Sequence, residues 1–435
     1  MRFESFPLFR RLYAVLFMLA VPLASAPALF SSGSTGADGA LNVTENTTLP
    51  IPPDGLFNYT TINVAEGATL RFDISERNLP IIMLAQGDVT INGTINLNGQ
   101  HGRAWNDPLA GTLGGRSAPG PGGYHGGIGG QSPANTGDDA SQIGMSGGGP
   151  GGGAAANNPT TDNTVGRGGN AGSHFTAGVT GLGNPNPAAP TYGDTRLITL
   201  SGGSGGAGAN FYTTVPNSGR GPGGGGGAGA ILIASSTSIT VNGSITARGG
   251  SGGPSVGVAG GGSRSGGAGA GGTIRLMAQT IGGSGTLEAR GGSGQAGAGG
   301  NGLIRMEAID QQGTLAMNSN PPPALSMPGL VSVPPSLQPR VTIVSIGGVA
   351  VPDDPGVSLT SPDVVIPASQ GDPVTIELET ENVPDGAVVT LRIPVLNGET
   401  IVLSSTPVSG GTATAQATTI PEGAGAVYAS VALQD

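Results

Sequence analysis

Hydrophobic and polar residues alternate in short bursts along this chain, and one burst recurs. Ile81–Gly102 reads IIMLAQGDVTINGTINLNGQHG and Ile231–Gly252 reads ILIASSTSITVNGSITARGGSG, an offset of 150 positions without a gap. Each passes from an apolar strand through an alternating strand, an Asn-Gly corner and a third short strand into glycine. Two further copies follow, TIRLMAQTIGGSGTLEARGGSG from Thr273, with one residue deleted mid-copy, and a truncated LIRMEAIDQQGTLA from Leu303.

Side-chain parity sets the inward positions of each copy. They are Val89, Ile91, Ile95 and Leu97; then Ile231, Ile233, Ile239, Val241, Ile245 and Ala247. The third copy supplies Ile274, Leu276, Ile281, Leu287 and Ala289, and the fourth Ile304, Met306 and Leu315. Asn92 and Asn242 occupy equivalent corners before glycine, where left-handed backbone is tolerated.

Repeats of this size imply coils that bury an aliphatic column by stacking. The prediction is therefore all-β: a parallel β-helix solenoid with Gly-rich inserts over residues 57–318, the longest insert covering 102–229. Phe57–Phe72 alternates on either side of Glu66-Gly67 and predicts a strand pair capping the first coil. Arg196–Leu200 resembles the final strand of a hidden partial coil.

Residues 29–56 read as a flexible N-terminal segment. Residues 319–340 carry Pro321–Pro323, Pro328, Pro334, Pro335 and Pro339, the composition of a stiff, extended linker. Beyond it, alternating segments at 341–346, 363–367, 373–380, 387–393, 400–405, 411–419 and 426–433 predict an immunoglobulin-like β-sandwich over 341–435.

Composition narrows the setting. Arg2, Arg10 and Arg11 before the apolar stretch Leu12–Leu23, with Ala26 and Ala28 behind it, predict a signal peptide over 1–28 and hence a secreted or cell-surface protein. No later stretch is apolar enough to cross a bilayer, so no membrane span is expected once the signal is removed. Cysteine is absent and all 17 basic residues are arginine, which excludes disulfides, thiolate metal sites and lysine Schiff bases. A net charge of −10 disfavours nucleic acid and anionic membranes. The 84 glycines gather in tracts that either remain disordered or pack as polyproline-II-like helices.

The candidate chemistry lies in the long insert. His101, His125 and His174 and the only tryptophan, Trp105, lie there or at its entry, with Tyr124, Tyr192, Tyr212, Asp138 and Asp139. One reading is a binding surface made by Trp105, Tyr124, His125, Asp138, Asp139, His174, Tyr192 and Tyr212, with aromatic faces for sugar rings or a protein partner. The other is that these side chains pin the insert to the coil wall. No histidines stand at metal-ligand spacing, and no cofactor is implied. PDDPG (352–356) and QGDP (370–373) offer oxygen ligands for weak Ca²⁺ binding at most, because no acidic loop pattern is complete. Arg275 aligns with Arg305, and Arg248 with Arg290, as an external arginine ladder in which Glu288 is placed to pair with Arg290.

The segments DGLFNYTTINVAEGATLRF, LAQGDVTINGTINLNG and SITVNGSITARGGSGG resemble a group of secreted bacterial glycine-rich proteins, over about Asp54–Met317. The resemblance implies a right-handed parallel β-helix like those of surface adhesins and pectate-lyase-like proteins. It carries over no catalytic residue and no activity. The function expected is a structural or adhesive extracellular protein that binds polysaccharide or surface protein, or assembles into filaments. The alternative is a polysaccharide-active enzyme, a lyase or glycosidase, with the insert as its lid.

Overall fold

The computed structural model describes residues 30–75, 78–132, 143–156, 166–197, 199–213, 219–258, 261–295, 297–310, 317–328, 339–353, 355–356, 358–396, 398–421 and 423–432. The signal-peptide prediction, Asp138, Asp139 and Leu315 lie outside these residues. No helix among them is long and apolar enough to cross a membrane.

The repeats pair as their sequences align. Each contributes three strands: β6 (Ile81–Ala85), β7 (Val89–Ile91) and β8 (Thr94–Asn96) from the first; β10 (Ala230–Ser235), β11 (Ser238–Val241) and β12 (Ser244–Thr246) from the second. All three pairs are parallel and in the 150-residue register, with Ile231 beside Ile81, Ile239 beside Val89 and Ile245 beside Ile95. Every inward position named above that is described is buried to 1% exposure or less. The corner asparagines form a ladder, Asn242 Nδ2 donating to Asn92 Oδ1 at 2.9 Å.

The predicted solenoid is corrected. In the third repeat the first two strands fuse into one ten-residue strand, β15 (Thr273–Gly282), because the shortened copy has no bend between them. Residues 273–277 of β15 pair with β10 and residues 280–282 with β11, so the two ladders become arms of one sheet. Its path runs β1 (Leu41–Val43), β4 (Ile62–Val64), β7, β11, β15, β10, β6 and β3 (Leu56–Tyr59), eight parallel strands that nearly close into a barrel rather than the coils of a β-helix. Strand β17 (Leu303–Asp310) joins β15, and β19 (Ala324–Ser326) joins β17. A second parallel sheet, with β8, β12, β16 (Thr286–Glu288) and β18 (Asn318–Asn320) at its centre and one end, shares the same aliphatic core.

The chain before the first repeat is also corrected. Phe57–Phe72 is no hairpin cap: β3 (Leu56–Tyr59), β4 (Ile62–Val64) and β5 (Thr69–Asp73) each run parallel to a strand of the first repeat. The supposedly flexible lead contains β1 (Leu41–Val43) and β2 (Thr47–Pro50), which pair with β4 and β5. Ser32 Oγ donates to the Ala85 carbonyl at 2.6 Å and fastens the start of the described chain. Residues 195–196 form a turn instead of a partial coil, and the proline-rich stretch opens with strands β18 and β19 before residues 329–338, which are not described.

The described glycine tracts are packed. From Gly223 onward the amide partners recur every third residue. Gly223, Gly226 and Gly229 donate to the carbonyls of Arg103, Gln100 and Leu97; Gly224, Gly227 and Ala230 to Gly127, Tyr124 and Pro121; Gly225 and Ala228 to Gly267 and Ala270, all at 2.8–3.0 Å. Three residues per turn is the screw of a polyproline-II helix, which makes no internal hydrogen bonds and turns its amides outwards in three directions. Each segment is thus held by several neighbours at once. The 202–210 segment repeats the arrangement, Gly203, Gly206 and Ala209 donating to Ala228, Gly225 and Pro222. Glycine is required by distance: a Cβ on Gly227 would lie 1.8 Å from the Gly203 carbonyl oxygen. The third strand of each of the first three repeats runs directly into such a segment, so barrel and glycine bundle share their chain.

The C-terminal region is two antiparallel sheets around one core of Ile376, Leu378, Val389, Leu391, Ile393 and neighbours. One contains β20 (Arg340–Ile346), β21 (Val349–Ala350), β22 (Val374–Glu381) and β25 (Thr412–Ala417). The other contains β23 (Val388–Ile393), β24 (Ile401–Pro407) and β26 (Tyr428–Val431). The expected immunoglobulin-like set is corrected here: residues 363–367 form no strand, and the two-residue β21 stands in its place at the sheet edge.

Candidate functional site

The insert's polar and aromatic residues face inwards for the most part. His174 is fully buried, its Nδ1 2.8 Å from the Gly271 carbonyl and its Nε2 3.2 Å from Ser201 Oγ. Its ring lies 4.7 Å from that of Tyr192 and 5.4 Å from that of Phe175. Burial pushes the imidazole down to about 4, against the bond to Gly271, so the ring is neutral at physiological pH. Tyr192 donates to the Gly202 carbonyl at 2.6 Å and accepts from Ser204 Oγ at 2.9 Å. Burial raises its phenol well above the usual tyrosine value.

Tyr124 and His125 lie where the glycine bundle meets the C-terminal sheets. Tyr124 meets Tyr428 edge to face at 5.5 Å, and burial pushes its phenol up to about 12. Arg116 donates to Tyr428 Oη at 3.0 Å. His125 is pushed down to about 3, by burial first and by the Arg116 charge second. Its Nδ1 is buried without a partner. Trp105 and His101 are the exposed members: Trp105 is 39% exposed on a turn held by the Arg103–Asp107 pair at 2.7 Å, and His101 Nδ1 accepts from Ser251 N at 2.9 Å. Tyr212 begins the short strand β9 (Tyr212–Thr213), which pairs with β14 (Gly261–Ser263).

His174 and Tyr192 are therefore gathered in the bundle, with Ser204 as a link the sequence did not flag. Tyr124 and His125 stand at the interface, and Trp105 stands apart. Among the described residues no three His, Cys, Asp or Glu side chains gather as a metal site. Gly356 N donates to Asp363 Oδ1 at 2.9 Å, so the carboxylate beside the PDDPG segment serves a turn.

The arginine ladder has a centre that parity alone could have revealed. Glu307, 2% exposed, stands two residues beyond Arg305 on the same strand face. Its Oε1 accepts from Arg275 at 2.8 Å and Arg305 at 2.7 Å. The two guanidiniums also donate to the Leu197 and Thr195 carbonyls, clamping that turn onto the barrel. Glu288 pairs with Arg248 at 3.4 Å and with Arg290 at 3.8 Å.

A cleft of about 220 Å³ opens between the glycine bundle and the C-terminal sheets. Arg392 on β23 reaches into it and donates to the Gly152 carbonyl at 3.1 Å. Neither Arg392 nor Thr400 has a sequence signal that singles it out, because the cleft exists only in the tertiary structure.

Comparison of the chain with protein-family models, with curated proteins and with solved structures finds no match.

Proposed function

We propose that the protein is a structural or adhesive component of the cell surface or extracellular matrix that binds glycan or protein partners. The observation that supports this reading is the hydrogen-bonded glycine bundle continuous with a parallel-stranded barrel. Its backbone segments hold one another in several directions, and His174, Tyr192 and Tyr124 serve as packing. The described part of the insert is thus packed against its neighbours along its backbone. The glycine-rich resemblance agrees with this reading, and Trp105 supplies an exposed aromatic face for a sugar ring. The enzymatic alternative has no observation in its favour, since His174 and Tyr192 face the interior of the bundle.

The test is to present the full-length mature protein to an array of neutral and acidic polysaccharides and to whole cells, and to image it by electron microscopy. Retention on a polysaccharide or cell surface, or ordered self-assembly, is the expected outcome. A protein that binds none of these and remains monomeric overturns the proposal.

A further inference from the structure

The cleft between the glycine bundle and the C-terminal sheets has features of a ligand site that its own side chains leave incomplete. Its floor on one side is Gly152 and the extended Pro187–Pro190 segment; on the other stand Arg392, Glu399, Thr400 and Val402. Arg392 Nε and Thr400 Oγ1 are both buried without a hydrogen-bond partner. Buried polar atoms are normally satisfied, and two orphans in one cleft are a reason to look for an absent partner. Among the described residues no carboxylate lies within ion-pair distance of Arg392, whose sole hydrogen bond is to Gly152. Desolvation lowers its guanidinium pKa from the ordinary arginine value, the mark of a cation lacking compensation.

The missing partner must therefore bring negative charge and accept hydrogen bonds. A guanidinium edge presents its N–H groups in a fixed fork that matches a carboxylate. The rest of the cleft adds a second requirement. Val402 and the Pro187–Pro190 segment form an apolar flank, while the exposed Glu399 carboxylate at the rim offers acceptors to hydroxyl groups. A pyranose ring with one carboxylate, several hydroxyls and a C–H face meets all of these together. We infer that the cleft binds a uronic acid unit, its carboxylate on Arg392 Nε and Thr400 Oγ1 and its hydroxyls towards Glu399. This deepens the proposed adhesive function, on which it rests, by naming acidic glycan as the ligand class. The unit arrives either within an acidic polysaccharide or as a free sugar acid, and the test has an arm for each.

The experiment is calorimetric titration of the full-length mature protein with oligogalacturonate, with monomeric galacturonate and with the neutral galactose oligomer. The expected result is binding of the uronate forms and none of the neutral oligomer. Arg392→Gln should weaken it by about 10- to 100-fold, the loss of one charge-assisted hydrogen bond. Thr400→Val, nearly isosteric and outside the core, guards against loss of fold and should weaken it by about tenfold. Saturation by the monomer as well as the oligomer assigns the free acid; saturation by the oligomer alone assigns the polymer. Oligomer binding unchanged in both folded variants overturns this site while leaving glycan adhesion standing. Equal binding of the neutral oligomer overturns the uronate assignment. Absence of any glycan binding, with adhesion to protein or cells intact, overturns the inference but not adhesion itself.

Discussion

Glu307 and Arg275 face each other from adjacent parallel strands, Oε1 to guanidinium at 2.8 Å, with 3% and 12% of their side chains exposed. Arg305 approaches the same oxygen, so one carboxylate compensates two cations. Removing the carboxylate strands both charges. Glu307→Leu is expected to destabilise the barrel by about 3–5 kcal/mol. Replacing all three residues with Met or Leu should cost much less. Chemical denaturation of the single and triple variants checks the ordering.

The glycine bundle makes a sharper prediction about single methyl groups. Gly227→Ala forces a Cβ into the Gly203 carbonyl, and the backbone on either side is itself bonded to further neighbours. A destabilisation of about 3 kcal/mol or more is expected, at or beyond the upper end for overpacked cores. Gly114→Ala, where the nearest atom is 4.0 Å away, serves as the control and should be within about 0.5 kcal/mol of wild type. Melting temperatures of the two variants decide the matter.

Acid should loosen the bundle. His174 and His125 are neutral in the folded protein, with values pushed down to about 4 and about 3 from an unfolded value of 6.5. Between those limits the unfolded chain binds more protons than the folded one, so stability rises with pH. It is therefore full above about pH 6.5, falls as the pH drops towards 3, and levels off once both rings are protonated in the folded state. A loss of roughly a few kcal/mol is expected across that window. His174→Gln should flatten the pH profile of the melting temperature relative to wild type.

The contact between the bundle and the C-terminal sheets depends on Tyr428, which meets Tyr124 and accepts from Arg116. Tyr428→Phe keeps the ring contact and loses the acceptor, at a cost of about 1 kcal/mol. Tyr428→Ala removes both and should release the C-terminal sheets, read as a separate, earlier melting transition in calorimetry. One unchanged transition in all three proteins would show that this contact is not what holds the two parts together.

The all-β class and the identity of the core were legible because strand parity is a local property. Val89, Ile239 and Ile281 could be assigned inward without knowing what they faced. The closure of the sheet was not legible. It depends on β15 continuing unbroken where the earlier repeats bend, a consequence of one missing residue that parity cannot register. Strands β1 and β2 escaped notice because Leu41–Val43 and Thr47–Pro50 are too short to show alternation and are strands only by virtue of β4 and β5. The candidate site was half legible. Composition located Tyr124, His174 and Tyr192 in the insert, but whether an aromatic in a glycine tract faces water depends on which tracts lie against it. Arg392 and Thr400, drawn from the far end of the chain, could be associated with Gly152 only by the completed fold.

The three-residue rhythm of amide partners has a thermodynamic corollary. A core built by side chains exposes hydrocarbon when it melts, and the hydration of that hydrocarbon gives unfolding its large positive heat capacity. The glycine bundle would expose mainly peptide groups, whose hydration changes heat capacity in the opposite direction. Such a layer contributes enthalpy with little temperature dependence, and the stability curve of the whole protein should be broad and shallow. Cold, which weakens an oily interior, has little hold on an interior made of backbone.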